Sequence, residues 1–281
     1  MKINRQRFLK AAGLAGAGLI LAPQTNALSP DKEGSKIGVH SFDLGIASYT
    51  FRTLSLDDTI TNVKRLGITK LALKSMHMPL DSSAAEIQAT AQKVRDAGLD
   101  LYGVGVIYMK TDQEVNNAFE YAKHAGVKMI VGVPNHEFLP LVNQKVKEYD
   151  IRLAIHNHGP GDDVYKSPTH AYERIENLDK RIGLCIDIGH VVRIKEDPAA
   201  LAKKYKDRLF DCHLKDEDKA ETDGAPVEIG RGVIDIPAFL RTMVKIGFTG
   251  NLSLEYEKDG KDPIPGTAES IGYVRGVLKM I

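Results

Sequence analysis

Residues 151–160 read IRLAIHNHGP: an apolar run interrupted only by Arg152 ends in His156-Asn157-His158 and a Gly-Pro turn. A strand this apolar cannot leave one face in water, so it belongs to a parallel sheet covered by helices. Seven more runs of the same kind surround it: LGIAS (44–48), KLALK (70–74), LYGVGVIY (101–108), VKMIVGV (127–133), IGLCIDI (182–188), RLFDCHL (208–214) and NLSLEYE (251–257). Each precedes a helix-like stretch. LDDTITNVKRLG, DSSAAEIQATAQKVRDAG and DQEVNNAFEYAKHAG open on acidic or capping residues and close on glycine. DPAALAKKY and DIPAFLRTMVKIG carry proline near the first turn, where its missing N–H costs nothing. Eight strand–helix pairs predict an α/β protein, a single closed (β/α)8 TIM barrel over 41–281, rather than an open doubly wound sheet. No GxGxxG or Walker motif points to a nucleotide.

The first residues read differently. MKINRQRFLK is basic, AAGLAGAGLILA (11–22) is apolar, and PQTNA places small residues at Thr25 and Ala27. We read 1–27 as an export signal directing the chain to the periplasm, with 28–40 a leader into the barrel. An uncleaved N-terminal anchor is the alternative; the apolar stretch is too short to span a bilayer. Asn4 to Lys10 resembles a twin-arginine signal, but Gln6 separates the arginines. Cleavage after Ala27 would remove four basic residues and no acidic one, leaving 34 Lys and Arg against 37 Asp and Glu. A mildly acidic chain without a long basic run argues against nucleic acid or an anionic membrane as partner. The two cysteines, Cys185 and Cys212, form no CxxC and lie in apolar runs. They read as small buried residues rather than a disulfide.

In a barrel of this kind the chemistry gathers at the carboxyl ends of the strands. Runs five to eight end in IHNHG, IDIGH, CHLKD and LEYE. Alternation puts His156 and His158 on the face of Ala154, Asp187 on that of Cys185, His213 on that of Asp211 and Glu255 on that of Ser253. His156, Asp187, His213 and Glu255 would then point at one spot. Two imidazoles and two carboxylates suit Mn²⁺, Co²⁺, Zn²⁺ or Fe²⁺, and Mg²⁺ less well. Asp211 is a candidate to orient a ligand histidine, or a buried carboxylate paired with a lysine.

The IDIGH and CHLKD segments, the run GRGVIDIPAFLRTMVKIGFTGNLSLEYE and the HNH of the fifth strand resemble the xylose isomerase-like barrel superfamily. That superfamily holds sugar isomerases and epimerases, inosose dehydratases and the endonuclease IV group. The resemblance implies that Asp187, His213 and Glu255 hold a divalent metal and that His190 contacts substrate. The epimerases carry Glu on strand five, and this chain has His156. Of the two glutamates that work on opposite faces of an epimerase substrate only Glu255 remains, so chemistry needing one base and one acid is favoured.

Glu255, with His158 as acid, His190 and Lys74, forms the catalytic candidate set, Lys74 polarising a carbonyl or serving as a solvated lysine. Asn135 and His136 are substrate contacts or loop caps, and Arg231, between Gly230 and Gly232, reaches a sugar oxygen or stays exposed. Lys215 and Tyr49 complete the substrate-binding set; Tyr49, Phe51, Arg52 and Tyr108 form a candidate sugar platform, with core packing the preferred reading for Phe51 and Tyr108. A carbohydrate small molecule is the expected partner, and pairing into a homodimer is left open. The signal and the missing glutamate place elimination from a 3-keto-glycoside ahead of isomerisation or epimerisation of a free sugar. A non-catalytic sugar-binding barrel and an abasic-site endonuclease are remoter alternatives, the latter lacking both a three-metal ligand set and a basic face.

Overall fold

The structure, a computed structural model, describes residues 40–281. The signal and most of the leader lie outside the described residues. Seven strands lead the barrel, β1 (Asp43–Ala47), β2 (Lys70–Leu73), β3 (Asp100–Met109), β4 (Met129–Pro134), β5 (Arg152–His156), β6 (Ile182–Asp187) and β7 (Leu209–Leu214). Two short antiparallel strands follow in a loop, β8 (Asp216–Glu217) and β9 (Pro226–Val227), before the eighth barrel strand β10 (Asn251–Leu254). The eight barrel strands are all parallel, and β1 pairs with β2 on one side and β10 on the other, closing the barrel. The expected closed (β/α)8 architecture is therefore the one observed.

Helices α1 (Leu56–Arg65), α2 (Ala84–Asp96), α3 (Asp112–Ala125), α4 (Leu139–Tyr149), α5 (Pro168–Ile175), α6 (Ile188–Arg193), α7 (Pro198–Lys204), α8 (Ile236–Lys245) and α9 (Pro263–Leu278) cover the strands. Their starts follow the sequence signals. Ser55, Ser83, Thr111, Ser167 and Asp235 each accept an N–H from the residue three ahead, satisfying a donor that has no partner within the helix. Ser83 and Glu86 complete a reciprocal capping box.

The apolar core has two parts. A large shell lies between strands and helices and includes Phe51, Phe119, Phe239 and Cys212. A small cluster inside the barrel joins Met129, Val131, Ala154 and Cys185, with Tyr102 and Phe210 against it. The small inward residues predicted beneath the site thus fill the barrel axis. Both cysteines are free and buried. No helix among the described residues is long and apolar enough to cross a membrane.

Arg208 shows how the shell is fastened. Its buried guanidinium donates to the carbonyls of Asp179 (3.0 Å), Glu176 (3.1 Å), Leu178 (2.9 Å), Ile175 (3.3 Å) and Ile182. These acceptors are the open end of α5 and the turn into β6, where backbone N–H groups reach only some of the carbonyls, those of Ile175 and Asp179 among them. Arg208→Ala would strand several of them in the interior. We expect a loss of about 3 kcal/mol or more in urea unfolding, partly recovered by Arg208→Lys, whose ammonium has three donors rather than five.

Candidate active site

The ends of β5, β6, β7 and β10 bring His156, Asp187, His213 and Glu255 together. One ligand atom from each lies within 4.8 Å of all the others, and all four residues are buried. His156 Nε2 stands 3.0 Å from His213 Nδ1 and 3.4 Å from Asp187 Oδ2. His213 Nδ1 is 3.1 Å from Glu255 Oε2.

Asp187 divides its carboxylate between two tasks. Oδ1 caps α6 by accepting the His190 N–H at 2.9 Å, which leaves Oδ2 turned to the site. The middle residue of the HNH segment supports this from the side, because Asn157 Oδ1 accepts the Asp187 N–H (3.0 Å) and its amide donates to the Asp187 carbonyl (3.3 Å). Asn157 falls out of phase with the two histidines and so bridges β5 to β6 instead of facing the axis.

Lys215, expected as a substrate contact, sits deeper than that. Its buried ammonium lies 3.0 Å from Asp187 Oδ2, 2.9 Å from Glu255 Oε2 and 2.6 Å from Glu257 Oε1. Lys74 Nζ reaches Glu255 Oε1 at 3.2 Å and stands 4.2 Å over the Tyr49 ring, so Lys74 and Tyr49 form one wall. Burial lowers the Lys215 ammonium's affinity for its proton, but Asp187, Glu255 and Glu257 overcome this and hold its pKa well above the ordinary value. Burial likewise works against the Glu255 carboxylate, and His213, Lys215 and Lys74 pull it well below its usual range. Asp187 is also held low against burial, by His190 and Lys215. Burial brings His190 itself down to about 4. His190 is therefore neutral near pH 7, and Lys215 is the charge that keeps Asp187 ionised.

His158 lies at the mouth. Its Nδ1 is 3.0 Å from Asp162 Oδ2, its Nε2 is 3.0 Å from the Tyr108 hydroxyl, and its ring stacks on Tyr108. Its ring centre is 4.5 Å from that of His156. Tyr108, expected in the core, is 49% exposed and belongs to this rim, whereas Phe51 is fully buried as expected. Arg52 ties the turn after β1 to the end of β10 by donating to the Glu257 carbonyl at 2.9 Å.

Other candidates are placed elsewhere. Arg231 pairs with Glu269 of α9 at 2.7 Å and points outward. The cause is Asp216, whose buried carboxylate collects the N–H groups of Glu217, Gly230, Gly232 and Ile234 at 2.9–3.1 Å. Gly230 has φ 95°, and a Cβ on Gly232 would lie 2.2 Å from Asp216 Oδ1, so the turn is locked with Arg231 on its outer side. His136 uses Nε2 on the Val164 carbonyl (2.8 Å) and fastens the loop after β5. The Asn135 amide faces Glu137 at 3.5 Å. His136 thus caps a loop, while the Asn135 side chain caps no helix end. His77 is bound among Ser48, Thr59 and Leu54 and packs the turn after β2. Asp211 orients no imidazole: it accepts from the Tyr102 hydroxyl (3.1 Å) and the Cys212 N–H (2.8 Å). Burial pushes Asp211 up to about 7, with His213 opposing through charge alone. A hollow of about 530 Å³ at the opposite mouth, lined by Lys128, Arg152, Arg181 and Phe210, holds none of this chemistry.

Three buried atoms of the quartet lack an aligned hydrogen bond: His156 Nδ1, Asp187 Oδ2 and Glu255 Oε1. The two oxygens have ammonium neighbours but no well-directed donor, and His156 Nδ1 has no partner. Unpaired buried polar atoms converging from three strand ends fit a cation, and the quartet's two imidazoles and two carboxylates fit a divalent transition ion.

A closed barrel with a convergent His/Asp/Glu cluster at the carboxyl ends of its strands defines a class of proteins, and comparison with known sequences places this chain within it. The chain belongs to the xylose isomerase-like TIM barrel family, whose profile matches residues 60–277. It is 25% identical to the rhizopine catabolism protein MocC of Rhizobium meliloti, over 46% of this chain and 44% of that protein. It is 24% identical to the inosose isomerase of Bacillus subtilis, over 50% of this chain and 58% of the relative. The chain thus matches about half the length of these curated relatives. The structure also resembles 3-keto-D-glucoside 4-epimerase of E. coli, with TM-score 0.67 and 13% identity, covering 84% of this chain and 99% of the other. At that identity the likeness is one of fold.

Glu217 and Glu257 were not anticipated. Glu257 lies two residues past Glu255, a spacing that could have marked it as another partner for a lysine. Glu217 is buried, and burial followed by repulsion from Asp187 pushes it up to about 7. Folding therefore takes up a proton between its ordinary 4.5 and about 7, and stability falls as pH rises through that window. Glu217→Gln removes the effect. The variant is expected to gain about 1–2 kcal/mol at pH 8, where solvent screens part of the effect, and nothing at pH 4, read from unfolding midpoints.

Proposed function

We propose that this protein is a divalent-metal-dependent lyase that eliminates the aglycone from a 3-keto-glycoside. Membership of the family supports a sugar-active enzyme, and the asymmetry of the site carries the finer reading. One side offers the ionised carboxylate Glu255, while the strand-five position holds His156, with the Asp162-bound His158 above it.

His156, Asp187, His213 and Glu255 would hold the ion, which when bound would polarise the C3 carbonyl and acidify the neighbouring C–H. Glu255 takes the C2 proton. The electron pair left at C2 forms the C1=C2 bond, and the C1–O bond breaks. His158, oriented by Asp162, gives a proton to the departing oxygen. Lys74, over Tyr49 and beside Glu255, stabilises negative charge developing on the substrate oxygen. His190, neutral near pH 7, is placed to hydrogen-bond a sugar hydroxyl without adding charge.

The names of the relatives favour a second reading, isomerisation or epimerisation of a free sugar. It would use the same proton abstraction with no bond to a leaving group broken. Export to the periplasm, a cleavable signal over 1–27 and a barrel domain over 41–281 are part of the proposal.

NMR in D₂O with a 3-keto-glucoside and the metal-loaded protein tests the reading. Release of aglycone with an unsaturated keto-sugar, stopped by chelator, is the expected result. Deuterium uptake beside the carbonyl of a free sugar, without release, would replace elimination by isomerisation. Glu255→Gln is expected to lower kcat by about 100-fold or more. His158→Ala should cost most with poor leaving groups and least with an acidic phenol.

A further inference from the structure

The two imidazoles of the quartet belong to a second group of potential ligands. His156, Cys185 and His213 also place one ligand atom each within 4.8 Å of one another, and all three are buried. Cys185 stands two residues before Asp187 on β6, so it faces the barrel interior one inward position below that carboxylate. It is in lateral register with His156 and lies in the inner cluster with Met129, Val131 and Ala154. His156 Nδ1, a buried ring nitrogen without a partner, leaves that imidazole an unused ligand atom.

The two ligand sets differ in charge environment. On the carboxylate side, Lys215 lies 3.0 Å and 2.9 Å from Asp187 and Glu255, and Lys74 lies 3.2 Å from Glu255. These ammoniums satisfy part of the oxygen charge and repel a dication placed there. Cys185 lies deeper and replaces hard oxygen by soft sulfur, which Zn²⁺ and Co²⁺ accept far better than Mn²⁺ or Mg²⁺.

We propose that Cys185, with His156 and His213, forms a second metal position, a thiolate and bis-imidazole site below the carboxylates that takes Zn²⁺ or Co²⁺ in preference to Mn²⁺. The inference rests on the reading that the quartet holds a divalent ion, since the imidazoles are shared. When the ion enters, the Cys185 S–H proton leaves to solvent and the sulfur lone pair forms the bond to metal, with no change of oxidation state. Because His156 and His213 serve both positions, the two are alternatives. A hard ion stays at the carboxylates, and a thiophilic ion settles deeper, away from the substrate carbonyl. The barrel would thereby discriminate between metals by depth, and a soft ion would bind tightly while supporting little turnover.

Cobalt reports the difference. Co²⁺ added to the chelator-stripped protein should give a sulfur-to-cobalt charge-transfer band in the near ultraviolet. That band is expected to vanish in Cys185→Ser and to persist in Cys212→Ser, whose side chain lies in the outer shell. Zn²⁺ should bind Cys185→Ser about tenfold or more weakly, with Mn²⁺ affinity unchanged. Stoichiometric Co²⁺ with ligand-field bands alone would overturn the thiolate position and leave the quartet standing, whereas no Co²⁺ bound at all would remove both. Should Cys185→Ser not fold, X-ray absorption of the zinc-loaded natural protein decides. A sulfur neighbour at about 2.3 Å supports the proposal and its absence refutes it.

Discussion

The buried ammonium of Lys215 is the interaction on which the carboxyl end of the barrel depends. Asp187 ends β6, Glu255 follows β10, and Glu257 lies two residues further on. Each carboxylate brought into this low-dielectric space would cost several kcal/mol if uncompensated. Lys215, just past β7, stands between these chain segments and lies within 3.0 Å of an oxygen from all three carboxylates. The strand ends can converge because one positive charge is shared among them, and Lys74 adds a second on the far oxygen of Glu255.

Counted formally, the site holds three carboxylates against two ammoniums, a net single negative charge. A glutamate at position 156 would have made it two. With His156 in that place, a bound dication leaves the site with a net positive charge. Negative charge developing on a substrate oxygen then meets a field of the opposite sign, fixed before the substrate arrives. On the proposed reading, an imidazole in place of a carboxylate would remove a base and also strengthen the electrostatic bias toward an anionic transition state.

Much of this was legible in the sequence because its rules are local. Period-two alternation and strand ends placed His156, Asp187, His213 and Glu255 on the axis, since a two-residue phase needs no knowledge of distant chain. Helix starts followed from Ser, Thr and Asp at the caps. The residues whose surroundings could not be read from the sequence are those whose partners lie far away along the chain. Arg231 is turned outward by Glu269, 38 residues on, and by the Asp216 turn. His136 is held by a carbonyl 28 residues later, and Asp211 meets Tyr102 across 109 residues. Lys215 read as a substrate contact because its three carboxylate partners come from the ends of two other strands, β6 and β10. Tyr108 read as core because an aromatic in a strand usually is, and its exposure depends on where β3 overruns the barrel to meet His158.

Asp187 has one further property. It caps α6 with one oxygen and faces the cluster with the other, and α6 is only six residues long. Its last residue, Arg193, donates to the Thr222 carbonyl at 2.7 Å in the loop that carries β8 and β9. A turn of that carboxylate would release the His190 N–H, in the first turn of a short helix whose other end holds the loop. The pocket and the outer loop are thus joined through one short helix that Asp187 caps.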